Sequence, residues 1–233
     1  MVTAPPDFIG VGAQRSGTSW WFSLLTQHPS IARASLHKEL HFLSRFGSHE
    51  PSPADAADYA SWFPRPPGAI AGEWTPYYMT DCWFGALLER MAPAAKLMVI
   101  LRDPVDRYES GIAHRQHRQV VGPENETRHF LRGFYADHLA RLDPFVDDDA
   151  LLILQYERCV REPQQQLART FAFLGVEPIE VPDVDEFRGT RSEHAYVLWP
   201  ERRASLVDAY RADVERLVAR YPEIDMSLWK NFV

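Results

Sequence analysis

The chain has 233 residues, a length typical of one α/β domain, and its 45% of hydrophobic residues can form a substantial core. The formal net charge of −7 disfavours a polyanionic partner such as nucleic acid or a heavily sulfated polysaccharide, because like charges repel. Two cysteines without metal-type spacing, no basic and apolar leader, and no apolar run of bilayer length predict a cytoplasmic protein without membrane insertion.

Short apolar runs alternate with helical segments along the chain. Strands are predicted at 8–11, 31–34, 70–74, 96–101 and 151–154. Helices are predicted at 18–27, 56–63, 81–91, 105–117, 130–145 (with interruptions), 163–174 and 200–220, and loops at 51–55, 120–127 and 177–194. This alternation predicts a single α/β domain over residues 1–233, with a P-loop-like parallel β-sheet flanked by helices on both faces.

A small-residue turn connects the first strand to the first helix. Such a turn points backbone N–H groups and a helix N-terminus at one spot, which favours phosphate. In the pattern G-x-x-x-x-G-K-[ST], Gly12, Gly17 and Ser19 fit, but Thr18 replaces the lysine and Arg15 lies inside the turn. The sequence therefore predicts a phosphate site with a displaced cation. The alternative is a strand–turn–helix without a ligand.

A second motif follows the apolar strand at 96–101. Metal-dependent ATPases place a magnesium-binding aspartate at this point, whereas this chain has Arg102. Arginine holds phosphate in a bidentate manner without a metal, and Ser110 lies two helical turns further on. From these residues alone, an Arg102 paired with Asp103 or Asp106 at a helix start is equally compatible.

Two anion pockets without an evident magnesium ligand resemble the PAPS-dependent sulfotransferases, which use 3′-phosphoadenosine 5′-phosphosulfate. The turn is similar to the 5′-phosphosulfate loop of that family, and Arg102 with Ser110 resembles its 3′-phosphate motif. Two further segments resemble family motifs, namely Tyr156-Glu157 with Pro163 and Phe173-Leu174-Gly175, and Lys38-Glu39-x-His41-Phe42. The second of these is similar to the K-E-x-H-F segment of the heparan-sulfate and related bacterial branches.

The resemblance implies a set of nucleotide contacts. Arg15 would stabilise charge near the sulfate, and backbone and hydroxyl donors would bind the 5′-phosphate at Ser16, Gly17, Thr18 and Ser19. Trp20 and Tyr156 would contact the adenine, although Trp20 is equally suited to a core position on an amphipathic helix. A basic loop containing Arg188 and Arg191 would cover the 3′-phosphate; each arginine taken singly fits a solvated loop.

The resemblance also implies a catalytic group. Glu39 would take the proton of an acceptor hydroxyl, with His41 orienting it or acting as the base. Without the resemblance, a surface glutamate paired with Lys38 is the simpler interpretation. Heparan-type enzymes carry E-K-[ST] where this chain has Glu73-Trp74-Thr75, so Lys38 is the candidate to replace the missing lysine.

Together these features predict a metal-independent sulfotransferase that moves a sulfuryl group from PAPS to a small-molecule acceptor and releases PAP. A sugar, a lipid or an aromatic natural product would serve as acceptor. The alternatives are a P-loop nucleotide kinase or NTPase, and a non-catalytic nucleotide-binding protein of the same fold. The sequence leaves the oligomeric state open.

Overall fold

The computed structural model describes residues 1–32, 38–117, 122–188 and 196–233. The strands are β1 (Val2–Thr3), β2 (Phe8–Gly12), β3 (Ile31–Ala32), β4 (Pro64–Arg65), β5 (Ile70–Trp74), β6 (Lys96–Leu101) and β7 (Leu151–Gln155). The helices are α1 (Thr18–Leu25), α2 (Pro53–Ser61), α3 (Phe84–Met91), α4 (Pro104–His117), α5 (Pro123–Leu131), α6 (Tyr135–Ala140), α7 (Tyr156–Arg161), α8 (Pro163–Leu174) and α9 (Pro200–Arg220). Among these described helices, none combines the length and the apolar character that crossing a bilayer requires.

Within the described ranges, the central sheet is parallel and has the order β3-β5-β2-β6-β7. From β2 the chain first builds the β5 side of the sheet and then returns to build the β6 side. The carboxyl ends of β2 and β6 therefore flank the point where the direction reverses, and ligands of open α/β sheets bind at this point. Strands β1 and β4 form a separate antiparallel pair.

The two faces of the sheet carry separate hydrophobic cores. In β6, Leu97, Val99 and Leu101 belong to the core that includes side chains of α3, α4 and α9. The alternate residues Met98 and Ile100 belong to the core that includes side chains of α1 and α8. Each fully buried aliphatic side chain contributes roughly 1.5–3 kcal/mol. The predicted α/β class, with a parallel sheet covered by helices on both faces, is confirmed.

Two predicted loops are helical instead. Ser52 caps α2 through a reciprocal bond pair with Asp55, and α2 therefore begins at Pro53, inside the predicted loop 51–55. Helix α5 begins at Pro123, inside the predicted loop 120–127. In both cases proline occupies the first helical turn, where its missing N–H costs nothing. The predicted loops 51–55 and 120–127 were therefore wrong at these positions, where the prolines start helices.

Candidate active site

The turn between β2 and α1 lies at the carboxyl edge of the sheet. Gly17 is left-handed (φ 83°) and, having no side chain, leaves the α1 N-terminus without a side-chain cap. Arg15 is also left-handed, at φ 70°. The Ser16 hydroxyl is fully buried, and no partner for it exists among the described residues. A buried unsatisfied hydroxyl costs about 1–3 kcal/mol, so an acceptor atom at this turn would be stabilising.

The two motifs that the sequence assigned to separate pockets contact each other directly. The Arg102 Nη1 donates to the Arg15 carbonyl at 3.4 Å, and the Arg15 Nε donates to the Ser110 Oγ at 3.2 Å. The Tyr135 hydroxyl donates to the Arg102 carbonyl at 2.9 Å and fixes the backbone that follows β6. The positive groups of both motifs therefore form one continuous site.

The carboxylates after Arg102 have other partners. Asp103 Oδ1 accepts from the Val105 N–H at 2.9 Å, and its Oδ2 accepts from the Asn231 side chain at 2.7 Å. Asp106 forms an ion pair with Lys230 at 3.1 Å. In the described part of the chain, no carboxylate forms an ion pair with Arg102. Within the described ranges Arg102 therefore forms no short ion pair at the helix start, although its charge, together with that of Lys230, lowers the pKa of Asp106 against the effect of burial.

Aromatic rings flank this site. The Tyr156 ring lies 5.0 Å from the Arg102 guanidinium carbon, and a Cβ at Gly17 would stand 2.8 Å from that ring. Trp20 is only 4% exposed, and its indole meets the Tyr156 ring edge-on at 6.3 Å. Trp20 is thus a core residue whose edge borders the site. The Arg188 guanidinium lies 5.2 Å above the Trp20 ring.

Thr18, Ser19 and Arg191 were also predicted to contact the nucleotide, and the first two have different environments. Thr18 is buried, and its hydroxyl accepts a hydrogen bond from the Lys38 ammonium at 3.2 Å. Ser19 is exposed in the first turn of α1, and its carbonyl accepts from the Ser23 hydroxyl. Arg191 lies outside the residues that the structure describes.

The K-E-x-H-F segment lies next to the α1 N-terminus. The Lys38 Nζ donates to the Glu39 Oε1 at 2.8 Å as well as to Thr18, so it joins the predicted base to the turn. The His41 Nε2 lies 3.5 Å from the Glu39 Oε2. Burial lowers the pKa of Lys38, and the charge of Glu39 opposes that shift. Lys38, Glu39 and His41 thus form one chain of polar contacts.

Trp74, which stands in place of the heparan-type lysine, points away from this chemistry. Its side chain is fully buried, and the ring lies 2.0 Å from where a Cβ of Gly10 would be. The indole N–H donates to the Gly12 carbonyl at 3.1 Å. Trp74 therefore packs against the carboxyl end of β2, and the ammonium group nearest to Thr18 and Glu39 is that of Lys38.

Glu73 is a buried carboxylate whose role the sequence analysis did not anticipate. Its Oε1 accepts from the hydroxyls of Tyr59 at 2.6 Å and Tyr78 at 3.0 Å. Its Oε2 accepts from the Thr75 hydroxyl at 2.6 Å and the Leu40 N–H at 3.4 Å. Burial raises the pKa of Glu73, and these hydrogen bonds oppose that shift.

The hydroxyls around Glu73 extend its hold to the predicted catalytic segment. The Thr75 Oγ1 accepts from the His41 N–H at 3.3 Å, and the Tyr78 hydroxyl accepts from the Leu43 N–H at 3.2 Å. Glu73 thus organises, directly or through one hydroxyl, the backbone around His41. The fragment Glu73-Trp74-Thr75 was noticed in the sequence only because a lysine is missing from it.

Two further residues at the turn, Gln14 and Arg132, were not predicted as site residues, and both contact Tyr77. The Arg132 Nη1 donates to the Gln14 Oε1 at 2.5 Å, and the Gln14 Nε2 donates to the Tyr77 hydroxyl. The Arg132 guanidinium lies 4.5 Å from the Tyr77 ring centre, and that ring lies 5.2 Å from the His41 ring. Since 118 positions separate Gln14 from Arg132, no local motif connects them.

A cavity of about 260 Å³ adjoins the predicted base, and Glu39 and His41 are among its lining residues. The segment Lys38–Phe42 therefore lines this cavity and also contacts the start of α1 through Lys38. Within the ranges that the structure describes, no group of three or more His, Cys, Asp or Glu side chains is arranged to hold a metal ion.

Solved structures support this arrangement at the level of the fold. A crystal structure of a sulfotransferase from Alicyclobacillus acidocaldarius superposes with a TM-score of 0.81 at 26% identity, over 97% of this chain and 99% of that one. The mouse sulfotransferase SULT7A1 complexed with PAP superposes with a TM-score of 0.58 at 14% identity, over 94% of this chain and 88% of that one. At that identity the second match shows the fold alone.

Curated relatives give a consistent picture. The heparan sulfate glucosamine 3-O-sulfotransferase 6 of Homo sapiens is 27% identical over 201 residues, which cover 80% of this chain but only 57% of that protein. A model described as "Sulfotransferase family" matches residues 52–180, more than half of the chain, including Arg102, Ser110 and Tyr156. On this match, and with the helix-flanked sheet in place, the chain belongs to the sulfotransferase family.

Proposed function

We propose that the chain transfers a sulfuryl group from PAPS to a hydroxyl group of a small-molecule acceptor and releases PAP. Membership of the family supports sulfuryl transfer over phosphoryl transfer and so disfavours a nucleotide kinase. The residues at the carboxyl edge of the sheet support the choice of nucleotide. Arg15 and Arg102, linked at this edge, suit a sulfuryl donor that carries phosphate at two positions, as PAPS does.

The residues present fit a nucleotide with phosphate at both ends. For the 5′ end, the turn offers the uncapped N-terminus of α1, the unpartnered Ser16 hydroxyl and the Arg15 guanidinium. For the 3′ end, Arg102 offers a planar donor fork, and Arg15 links Arg102 to the Ser110 hydroxyl. The half-buried ring of Tyr156 between the two motifs suits an adenine contact.

The main support for this proposal is that the Lys38 ammonium donates hydrogen bonds both to Thr18, the first residue of α1, and to Glu39. These two hydrogen bonds hold the Glu39 carboxylate near the predicted sulfate pocket, with only the Lys38 side chain between them. A carboxylate in this place can remove the proton of a bound hydroxyl. A surface ion pair with no catalytic task would have no reason to involve the buried Thr18.

When bound, PAPS supplies an activated sulfuryl group. The acceptor oxygen loses its proton to Glu39 and bonds to sulfur while the bond from sulfur to the bridging phosphate oxygen breaks. Arg15 and the N–H groups of the turn stabilise the charge that develops on the departing oxygen. His41, at 3.5 Å, orients Glu39. In this proposal Arg15, Lys38 and Arg102 supply the positive charge, without a divalent ion.

Calorimetry and a transfer assay test the proposal together. We expect PAP to bind and Mg-ATP to bind much more weakly. The variant Arg102→Ala should lose about 10-fold or more in PAP affinity, on the scale of a hydrogen bond to a charged group. Arg90→Ala, which removes an exposed arginine paired with Glu50, is the matched control and should bind PAP normally.

Labelled PAPS incubated with a metabolite extract should yield products that gain a sulfate, with and without EDTA. Unchanged PAP affinity in the Arg102 variant would remove that residue from the site. Binding of PAP without transfer to any acceptor would favour a non-catalytic nucleotide-binding protein instead.

A further inference from the structure

A second, larger cavity opens between α5, α6 and the turn at residues 78–80, next to the site already described. Its volume is about 460 Å³, within the range of small-molecule sites. Apolar and basic side chains share its lining, namely Leu131, Phe134, Arg128, Arg132, His138 and Arg141. A pocket of this composition suits a ligand with an apolar body and an acidic end.

The three arginines of this cavity outnumber the carboxylates that the described structure places near them, which are Asp137 in the lining and Asp81. Burial raises the pKa of Asp81, and the charge of Arg132 acts to lower it. Among the described residues, no carboxylate forms an ion pair with Arg128, Arg132 or Arg141. The lining residue Asp137 instead pairs with Arg216, at 2.8 Å. Burial lowers the pKa of the half-buried Arg132, and nearby arginines, Arg128 among them, add to that shift. An anion bound here would offset this repulsion.

The cavity is connected to the transfer site through Arg132. This guanidinium lines the cavity, donates to Gln14 inside the turn at 2.5 Å, and lies 4.5 Å from the Tyr77 ring centre. Tyr77 in turn lies against His41, which neighbours Glu39. Arg132, Tyr77 and His41 therefore form a row of contacting side chains from the cavity to the predicted base, and we place an extended ligand held by Arg132 along this row.

We propose that the acceptor is a small amphipathic hydroxy acid whose carboxylate is bound by Arg128, Arg132 and Arg141. Its apolar body packs against Leu131 and Phe134, and its hydroxyl faces Glu39. The planar arginine fork matches a carboxylate geometrically. This inference rests on the proposed sulfuryl transfer and narrows its acceptor class.

The test compares acids with their neutral esters. The probes are 4-hydroxyphenylacetate and 10-hydroxydecanoate, each paired with its methyl ester, and binding is measured by ligand-observed NMR with and without saturating PAP. We expect each acid to bind at least about 10-fold more tightly than its ester, the scale of one hydrogen bond to a charged group. The double variant Arg128→Ala/Arg141→Ala should lose this preference.

Arg128 and Arg141 are both exposed, so their truncation leaves the core intact. Arg211→Ala, an exposed arginine on α9, is the matched control and should keep the preference. Equal binding of acid and ester, including no binding by either, would overturn the proposal, as would an unchanged preference in the double variant. Binding of a sulfated tetrasaccharide without binding of either acid would also overturn it.

PAP affinity, measured on the same samples, reports separately on the proposed function. An acid preference in a protein that fails to bind PAP would contradict PAPS-dependent transfer and leave the anion site standing. Normal PAP binding without an acid preference would contradict the proposed anion site and leave PAPS-dependent transfer standing.

Discussion

Glu39 combines partial exposure with two polar neighbours, and this combination suits a base that must meet an incoming substrate. Its side chain is 37% exposed, while Lys38 and His41 contact its two oxygens. An ordinary surface ion pair is worth about 0–1 kcal/mol, so stability alone gives little reason for the arrangement. The arrangement is therefore compatible with the catalytic role that we propose for Glu39.

Replacing Glu39 by Gln should lower kcat by roughly 10²- to 10⁴-fold, the usual contribution of a general base, because the amide cannot accept the hydroxyl proton. PAP affinity should change little, because glutamine keeps an oxygen that can accept the hydrogen bond from the Lys38 ammonium and Glu39 does not contact Arg15 or Arg102. Steady-state kinetics with labelled PAPS and calorimetry with PAP are the two measurements. Near-normal turnover would exclude Glu39 as the base.

His129 makes stability depend on pH. It is 2% exposed, its Nδ1 has no partner among the described residues, and burial together with Arg107 and other arginines lowers its pKa to about 3. The folded pKa lies below the unfolded value of 6.5, so the unfolded chain binds the proton first. The free energy of unfolding should therefore fall as the pH drops from about 6.5 towards 3, by up to about 1.4 kcal/mol per unit.

Denaturant titrations at several pH values check this expectation. The variant His129→Gln should show a shallower loss of stability in acid than the wild type. His49→Gln, which replaces an exposed histidine, should follow the wild-type curve. Parallel curves for the wild type and the His129 variant would show that this group does not titrate as described.

At the scale of elements, the end of β5 fixes the segment that carries the predicted base. Strand β5 delivers Glu73 into the interior, and Thr75 relays one hydrogen bond from Glu73 to the His41 N–H. Tyr59 also donates to Glu73, but in the described structure it has no hydrogen bond to that segment. Removing the Thr75 hydroxyl therefore tests whether Glu73 positions His41, whereas removing the Tyr59 hydroxyl tests only the stability that Glu73 gives to the core.

The variant Thr75→Val should lower kcat by about 10-fold, because losing one net hydrogen bond of about 1 kcal/mol loosens the backbone at His41. Tyr59→Phe should cost similar stability and leave kcat nearly unchanged. Thermal unfolding and kcat measured on both variants make the comparison. An unchanged kcat in Thr75→Val would show that Glu73 stabilises the core without positioning His41.

Elements with a single dominant signal were predicted well from the sequence. The apolar run of β6 and the amphipathic face of α9 have the predicted bounds, because burial on a strand or one helix face demands a regular pattern. Helices α2 and α5 were predicted as loops at their starts, because proline disrupts a helix interior but suits its first turn. Proline has opposite effects at the start and in the interior of a helix, so its presence alone did not predict where α2 and α5 begin.

At the scale of the whole molecule, an acidic chain places three cationic side chains close together at one edge of the sheet. The formal charge is −7, yet Arg15, Arg102 and Lys38 lie within a few contacts of the same turn. Net charge therefore argues against a long polyanion, while local charge favours a small one. Binding of such a ligand by the folded state alone must stabilise the fold.

PAP at about 100 times its Kd should stabilise the protein by about 2.7 kcal/mol. The rise in Tm should be the same in EDTA and in magnesium, because arginine and lysine hold the phosphates in the proposed site. Scanning calorimetry with PAP under both conditions is the measurement. Stabilisation that appears only with magnesium would overturn the proposed metal-independent site.

The linear sequence determined the α/β architecture and the turn, Arg102 and Lys38–Phe42 motifs, because hydrophobic periodicity and short motifs are local. It also favoured a sulfotransferase over an ATPase, since a cation replaced an acidic residue after β6. Only the tertiary structure decided that Arg15 contacts Ser110, that Glu73 anchors His41, and that Arg132 reaches the turn. These contacts join positions far apart in the chain, and only the packing of distant elements creates them.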